Sequence, residues 1–207
     1  PVRAVTPDDY ARAAERHPDV QRAAATRRWT GSWYTTYLAV DRRGGAEVGA
    51  AFRDELLAML DPLRMAGHDV AVEGPRYVPL DVAARVCVAD GFVRGDVEAA
   101  LLDAFTSGTR RDGALGFFHP DNLTFGQPVH LSRFVATAMG VRGVCRVFFD
   151  AAPGATPARQ PRFRRLYGGA AVSPDVLLMG SLEIARLDND PSAPENGRLV
   201  FIMENGL

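Results

Sequence analysis

The stretch Tyr77-Val78-Pro79-Leu80-Asp81-Val82-Ala83-Ala84-Arg85-Val86-Cys87-Val88-Ala89 decides the architecture. Val78, Leu80, Val82, Ala84, Val86 and Val88 alternate without a miss, and Asp81 and Arg85 take the opposite parity. Successive strand side chains point to opposite faces, so this is a long strand in a sheet with one buried face. Helical periodicity lies on both sides of it. In Ala46–Met65, Phe52, Leu56, Leu60 and Leu63 fall on one helical face; Pro62 kinks or breaks the last turn and Gly67 ends it. Gly95–Phe105 turns Val97, Leu101, Ala104 and Phe105 inward, and His130–Met139 does so with Leu131, Phe134, Val135 and Ala138.

Further out, Thr6-Pro7-Asp8-Asp9 starts a helix that runs through Arg16 and stops at His17-Pro18. Two strand-like runs follow, Val20–Arg28 and Ser32–Val40, with Thr30-Gly31 read as the hairpin turn between them. Asp69–Glu73 is a short strand before the break at Gly74-Pro75. Val144–Phe149 is another, and Ser107–Gln127 is a long polar and aromatic connection. Residues 151–175 are rich in Pro, Gly and Arg and read as a flexible arm. Strands at Ser181–Leu187 and Arg198–Met203 flank the turn-rich Asp188–Gly197.

The order α-β-β-α-β, β-α-α-β, β-β gives an α+β class with mixed sheets. We expect two small ferredoxin-like modules, 1–74 and 75–150. The arm at 151–175 follows, then 176–207, whose strands form a C-terminal β-hairpin completing the second module. A single βαββαβ unit from Trp33 to Phe149 is the alternative.

The chain has 207 residues, 47% of them apolar, enough for a real core. No apolar run approaches the ~18 residues that cross a bilayer. A net charge of −1 supplies no field to gather phosphates or coat an anionic membrane, so no nucleic acid and no membrane insertion are expected. All 24 basic residues are arginine, which forms planar bidentate pairs and stacks on aromatics. Cys87 and Cys145 sit in apolar strand-like runs, where buried free thiols are the default; a disulfide requires those strands to be neighbours. No signal peptide is visible, and the start Pro1-Val2-Arg3 reads as that of a fragment.

Chemistry-bearing residues form no complete site. His17 and His68 end predicted helices, where histidine complements the dipole. His119, Asp121 and His130, with Ser132 nearby, could support acid–base or nucleophilic chemistry, but no glycine elbow surrounds the serine. His119-Pro120-Asp121-Asn122 also reads as a turn bonding its own backbone. Asp188-Asn189-Asp190 with Glu195 has a calcium-loop flavour, yet Pro191 interrupts it and no glutamate closes the loop; the other reading is a self-capped turn. Gly44-Gly45 and Gly168-Gly169 lack phosphate-loop spacing. No catalytic residue, cofactor or metal is therefore assigned. The candidate interface residues are Trp29, Trp33 and Tyr34 at the hairpin, and Arg162, Phe163, Arg164, Arg165 and Tyr167 in the arm. Aromatics mixed with arginine are the usual anchors of protein contacts, and the arm is read as docking on an acidic neighbour.

Several stretches carry a family resemblance: Tyr10-Ala11-Arg12 with His17-Pro18-Asp19-Val20, Arg28-Trp29-Thr30-Gly31-Ser32-Trp33-Tyr34, Val40-Asp41-Arg42-Arg43-Gly44-Gly45, Gly116-Phe117-Phe118-His119-Pro120-Asp121, Phe125-Gly126-Gln127-Pro128-Val129, and Leu187-Asp188-Asn189-Asp190-Pro191 through Pro194-Glu195-Asn196-Gly197. The chain resembles the C-terminal portion of the baseplate J-like assembly proteins of phage tails and phage-derived extracellular contractile injection systems. The resemblance implies a wedge subunit of a six-fold baseplate around the hub and spike. Its partners would be a second J-like protein or a second copy, and the sheath/tube adaptor proteins. It also implies assembly in the bacterial cytoplasm into a tail-like particle that stays there or is released. It brings no catalytic residues and no cofactor. The competing readings are an enzyme with a His119/Asp121/His130 site and a stand-alone protein-binding module.

Overall fold

The computed structural model describes residues 3–150, 156, 160–167 and 175–205. The chain divides into two compact units, one of residues 1–76 with 124–126 and 180–184, the other of 77–123, 127–179 and 185–207.

In the first unit, α1 (Pro7–Ala14) begins with a capping box: Thr6 Oγ1 accepts the Asp9 N–H at 3.2 Å and Asp9 Oδ2 accepts the Thr6 N–H at 2.8 Å. Those bonds from Thr6 hold the Asp9 carboxyl well below the usual carboxylate range. β1 (Val20–Trp29) pairs antiparallel with β2 (Tyr34–Arg42), from Val20 opposite Arg42 to Trp29 opposite Tyr34. The connection takes four residues, Thr30–Trp33, where Thr30-Gly31 alone was expected; Gly31 adopts φ +100° and turns the chain. α2 (Ala50–Leu60) then crosses to β3 (Asp69–Glu73), which lies parallel to β2. It starts later than the periodicity predicts, because Gly44 and Gly45 turn with φ of +66° and +71° and Gly49 caps it in an extended conformation. Pro62 ends it in a single 3-10 turn. Leu38, Val40, Phe52, Leu56, Leu60 and Val72 form the core.

The second unit is organised on β4 (Arg76–Val88), whose alternating Val78, Leu80, Val82, Ala84, Val86 and Val88 are all buried. The other elements are α3 (Arg94–Ala104), β5 (Val129–His130), α4 (Leu131–Met139), β6 (Val144–Phe148), β7 (Arg162–Arg165), β8 (Val176–Leu177), the latter half of β9 (Glu183–Arg186) and β10 (Arg198–Asn205). β10 runs parallel to β4 from Arg198 opposite Asp81 to Asn205 opposite Val88. β6 and β7 run antiparallel to it, and β9 pairs with it as well. β5 and β8 pair antiparallel with each other. Phenylalanines fill the core: the Phe105 and Phe134 centroids lie 4.2 Å apart, and Phe201 and Phe163 lie 6.2 and 6.4 Å from Phe134.

The α+β class with mixed sheets holds. The separate sheets of the two units replace the single βαββαβ alternative. The last two strands do not form a hairpin; both pair with β4, whose 13 residues have room for several short partners. Within the expected flexible arm, Arg162–Arg165 is a strand of this sheet, because β4 offers it backbone partners from Leu80 to Ala83. The rest of the arm at 151–155, 157–159 and 168–174 lies outside the described residues. Cys87 and Cys145 are a disulfide with Cα atoms 5.4 Å apart, not free thiols. Their strands are neighbours, and Cys145 is the extra residue of a bulge between the pairs Cys87–Arg146 and Val88–Val144.

Candidate protein interface

The β1–β2 ladder ends at the pair Trp29 and Tyr34, next to the four-residue connection. Trp29, Trp33 and Tyr34 are 58%, 53% and 52% exposed. The tip is nonetheless ordered by its own contacts. Trp29 meets Tyr34 edge to face at 5.0 Å, and the Trp33 carbonyl accepts from the Thr30 N–H at 3.0 Å and the Thr30 hydroxyl at 2.8 Å. Arg28 stacks over Tyr37 at 5.2 Å. Trp29, Trp33 and Tyr34 thus present three large aromatics outward at one end of the hairpin.

The arginine-rich strand has a different character. Arg164 lies opposite Asp81 on β4, and Arg162 is its neighbour on the same face. Asp81 is fully buried; Arg162 Nε reaches its Oδ1 at 2.7 Å, and Arg164 Nε and Nη2 reach its Oδ2 at 3.0 and 2.8 Å. Burial opposes ionisation of Asp81, but the hydrogen bonds and charge of the two guanidinium groups outweigh it and hold the pKa below the usual carboxylate value. The acidic neighbour expected for the arm is thus in the same chain. Phe163 takes the opposite parity and is buried in the phenylalanine core, so it is a packing residue and not a contact residue. Arg165 shares that parity and lies opposite Leu80. Arg164 and Tyr167 remain outward, the Arg164 side chain 61% exposed and Tyr167 62%.

A second ion cluster occupies the same face of β4. Arg85 Nε and Nη2 donate to Glu204 at 2.8 and 2.9 Å, and Asp150 lies 3.5 Å away. The Glu204 bonds raise the Arg85 pKa above its ordinary value. Neither cluster was singled out from the sequence. The available signal was two opposite charges, Asp81 and Arg85, four residues apart on one parity of an otherwise apolar strand.

The other candidates are locally satisfied. His119 Nδ1 accepts the Asp121 N–H at 3.1 Å and caps the 3-10 turn Pro120–Asn122. His130 lies in β5, opposite Val176. A shallow indentation beside His130 and Arg133 is not lined by His119. Asp190 accepts from the Ser192 N–H and hydroxyl, which lower its pKa, and Asn189 Oδ1 accepts the Leu199 N–H at 2.8 Å. That stretch is a turn bonded to itself and to β10. His17 is buried, with Nδ1 accepting the Asp19 N–H at 3.2 Å, Nε2 at 3.2 Å from Glu55 and its ring edge-on to Phe52. Among the described residues no three His, Cys, Asp or Glu side chains gather as metal ligands, and no helix is long and apolar enough to cross a membrane.

Residues 2–73 match the Baseplate J-like central domain family. The matched span falls within the first unit and covers about a third of the 207 residues. No curated protein matches the chain. Its fold is similar to that of a chain in the cryo-EM structure of the anti-feeding prophage (AFP) baseplate, 6-fold symmetrised. The TM-score is 0.54 at 14% sequence identity, covering 88% of this chain and 37% of that chain. The present chain thus spans little more than a third of the chain it matches.

Proposed function

We propose that this chain, similar to the Baseplate J-like central domain over residues 2–73, is a structural subunit of the baseplate of a contractile injection system or phage-like tail. It serves there as a wedge component that assembles with other wedge subunits around the hub and connects to the sheath. The observation that carries the proposal is the match to that domain at residues 2–73, supported by a fold likeness that extends over 88% of the chain. On this reading the chain works by shape and contact. The exposed tip of Trp29, Trp33 and Tyr34 meets a neighbouring subunit, and Arg164 and Tyr167 offer a second contact of mixed charge and aromatic character. The ion pairs of buried Asp81 and half-buried Arg85 stiffen the second unit so that it transmits load without loosening.

The test is recovery of the intact gene product from its native lysate through an affinity tag, with mass spectrometry of co-purifying proteins and electron microscopy of the eluate. Sheath, tube or other baseplate proteins, with six-fold particles in view, are the expected result. A clean monomer free of particle proteins overturns the proposal.

A further inference from the structure

β1 is an edge strand. The first sheet runs β1-β2-β3, and among the described residues β1 has a strand partner on one side only. The ladder fixes which backbone groups face out. The Thr30 N–H donates to the Trp33 carbonyl, so Trp29, one residue earlier, points its own N–H and C=O away from β2. By alternation Arg28, Thr26, Ala24 and Arg22 bond inward, and Arg27, Ala25 and Ala23 face outward. The Ala23 N–H confirms that phase, since it donates to Glu15 Oε1 at 3.2 Å, outside the sheet. Beyond it, the outward groups of Ala25, Arg27 and Trp29 accept and donate no hydrogen bond among the described residues. An open row of this kind is a template for one more strand.

The side chains say which strand. Val20 to Trp33 contains Arg22, Arg27 and Arg28 and no acidic residue. Arg22, Arg27, Arg28 and Trp29 are exposed. Arg27 spends one N–H on the Val5 carbonyl at 2.6 Å, and Arg28 rests on Tyr37; neither meets a carboxylate among the described residues. The centre of the edge, Ala23-Ala24-Ala25, carries side chains too small to hold a partner off. No proline or inward-pointing charge blunts it. A second copy fits poorly: antiparallel pairing about Ala25 sets Arg22 against Arg28, pairing about Arg27 sets Arg27 against itself, and no register supplies an acid.

We infer that the outer edge of β1, from Ala25 to Trp29, receives an extended acidic segment of another protein. The segment adds a fourth strand to the sheet, bonds its backbone to Ala25, Arg27 and Trp29, and sets its carboxylates against Arg27 and Arg28; Arg22 already lies 4.0 Å from Glu15. The edge chemistry carries this independently of the baseplate reading, so the two tests fail separately.

The experiment uses the full chain and a synthetic strand peptide of alternating glutamate with threonine or valine, and the same peptide with lysine for glutamate. Binding is read by amide hydrogen exchange and by NMR titration. The acidic peptide should protect the amides of Ala25, Arg27 and Trp29 while those of Ala24, Thr26 and Arg28, already bonded within the sheet, stay unchanged. Ala25→Pro removes an outward N–H that the fold does not use and should weaken the peptide at least tenfold with the melting temperature kept. The pair Arg27→Glu and Arg28→Glu should exchange preference from the acidic to the lysine peptide. Absence of binding, equal binding of both peptides, or binding unaffected by Ala25→Pro overturns the inference; so does protection that ignores the alternation.

Discussion

Replacing Asp81 by asparagine tests the internal anchoring of the arginine-rich strand. The carboxylate is fully buried and holds three short charge-assisted hydrogen bonds from Arg162 and Arg164. Removing one partner of a buried ion pair typically costs about 3–5 kcal/mol, because it strands the other charge. Here Arg164 is 61% exposed and regains water, whereas Arg162, at 20%, does so less. Asparagine keeps one acceptor oxygen but turns an N–H₂ toward the guanidinium groups. We therefore expect the low end, about 3 kcal/mol, or a fall in Tm of roughly 6–12 °C for a chain of this size. Arg164→Ala should cost less, about 1.5 kcal/mol, since Asp81 keeps Arg162. The pH dependence follows from the direction of the shift. The folded pKa of Asp81 is lowered, so its contribution is fully present above the unfolded value near ~3.9 and is lost as pH falls through the folded value. The stability gap between wild type and Asp81→Asn should then be flat from neutral pH to about 5 and close below about 4. Chemical denaturation across pH measures it, and trypsin reports the strand locally, since release of β7 exposes Arg162, Arg164 and Arg165 to cleavage. An unchanged midpoint at neutral pH with no faster cleavage would refute the anchoring, as would a gap that persists in acid.

Two further outcomes follow from other parts of the fold. Alkylation without reductant should leave Cys87 and Cys145 unmodified, and their replacement by serine should cost about 4 kcal/mol by the loop-entropy relation for a separation of 58 residues; denaturation of oxidised and reduced protein checks both. Serine at Trp29, Trp33 and Tyr34 together should change stability by less than about 1 kcal/mol, since these side chains are more than half exposed, yet sharply reduce co-sedimentation with the particle. Normal incorporation of that variant would remove the tip from the proposed interface.

The sequence by itself determined the elements whose signal is local. The unbroken alternation from Val78 to Val88 specifies β4 and its buried face, because a period of two permits no other regular conformation. Thr6, Pro7 and Asp9 specify the start of α1, because cap, ring and carboxylate act within one turn of helix. Phe52, Leu56 and Leu60 specify the inward face of α2 in the same way. The aromatics Trp29, Trp33 and Tyr34 are visible in the sequence as a group at one hairpin, but their exposure is read only from the structure. The tertiary structure decided the partners. Asp81 meets Arg162 across 81 residues of chain, and Arg85 meets Glu204 across 119. The local pattern shows the two charges of β4 but not their partners, so a stretch rich in Arg and Pro reads as a flexible arm when four of its residues complete a sheet. The same blindness hid the adjacency of Cys87 and Cys145 and the joint pairing of β9 and β10 with β4. Periodicity is written in side chains a few residues apart and fixes what each segment becomes. Which backbone edges meet depends on a long strand such as β4 offering bonding groups along its whole length, and that is set only when the chain closes around it.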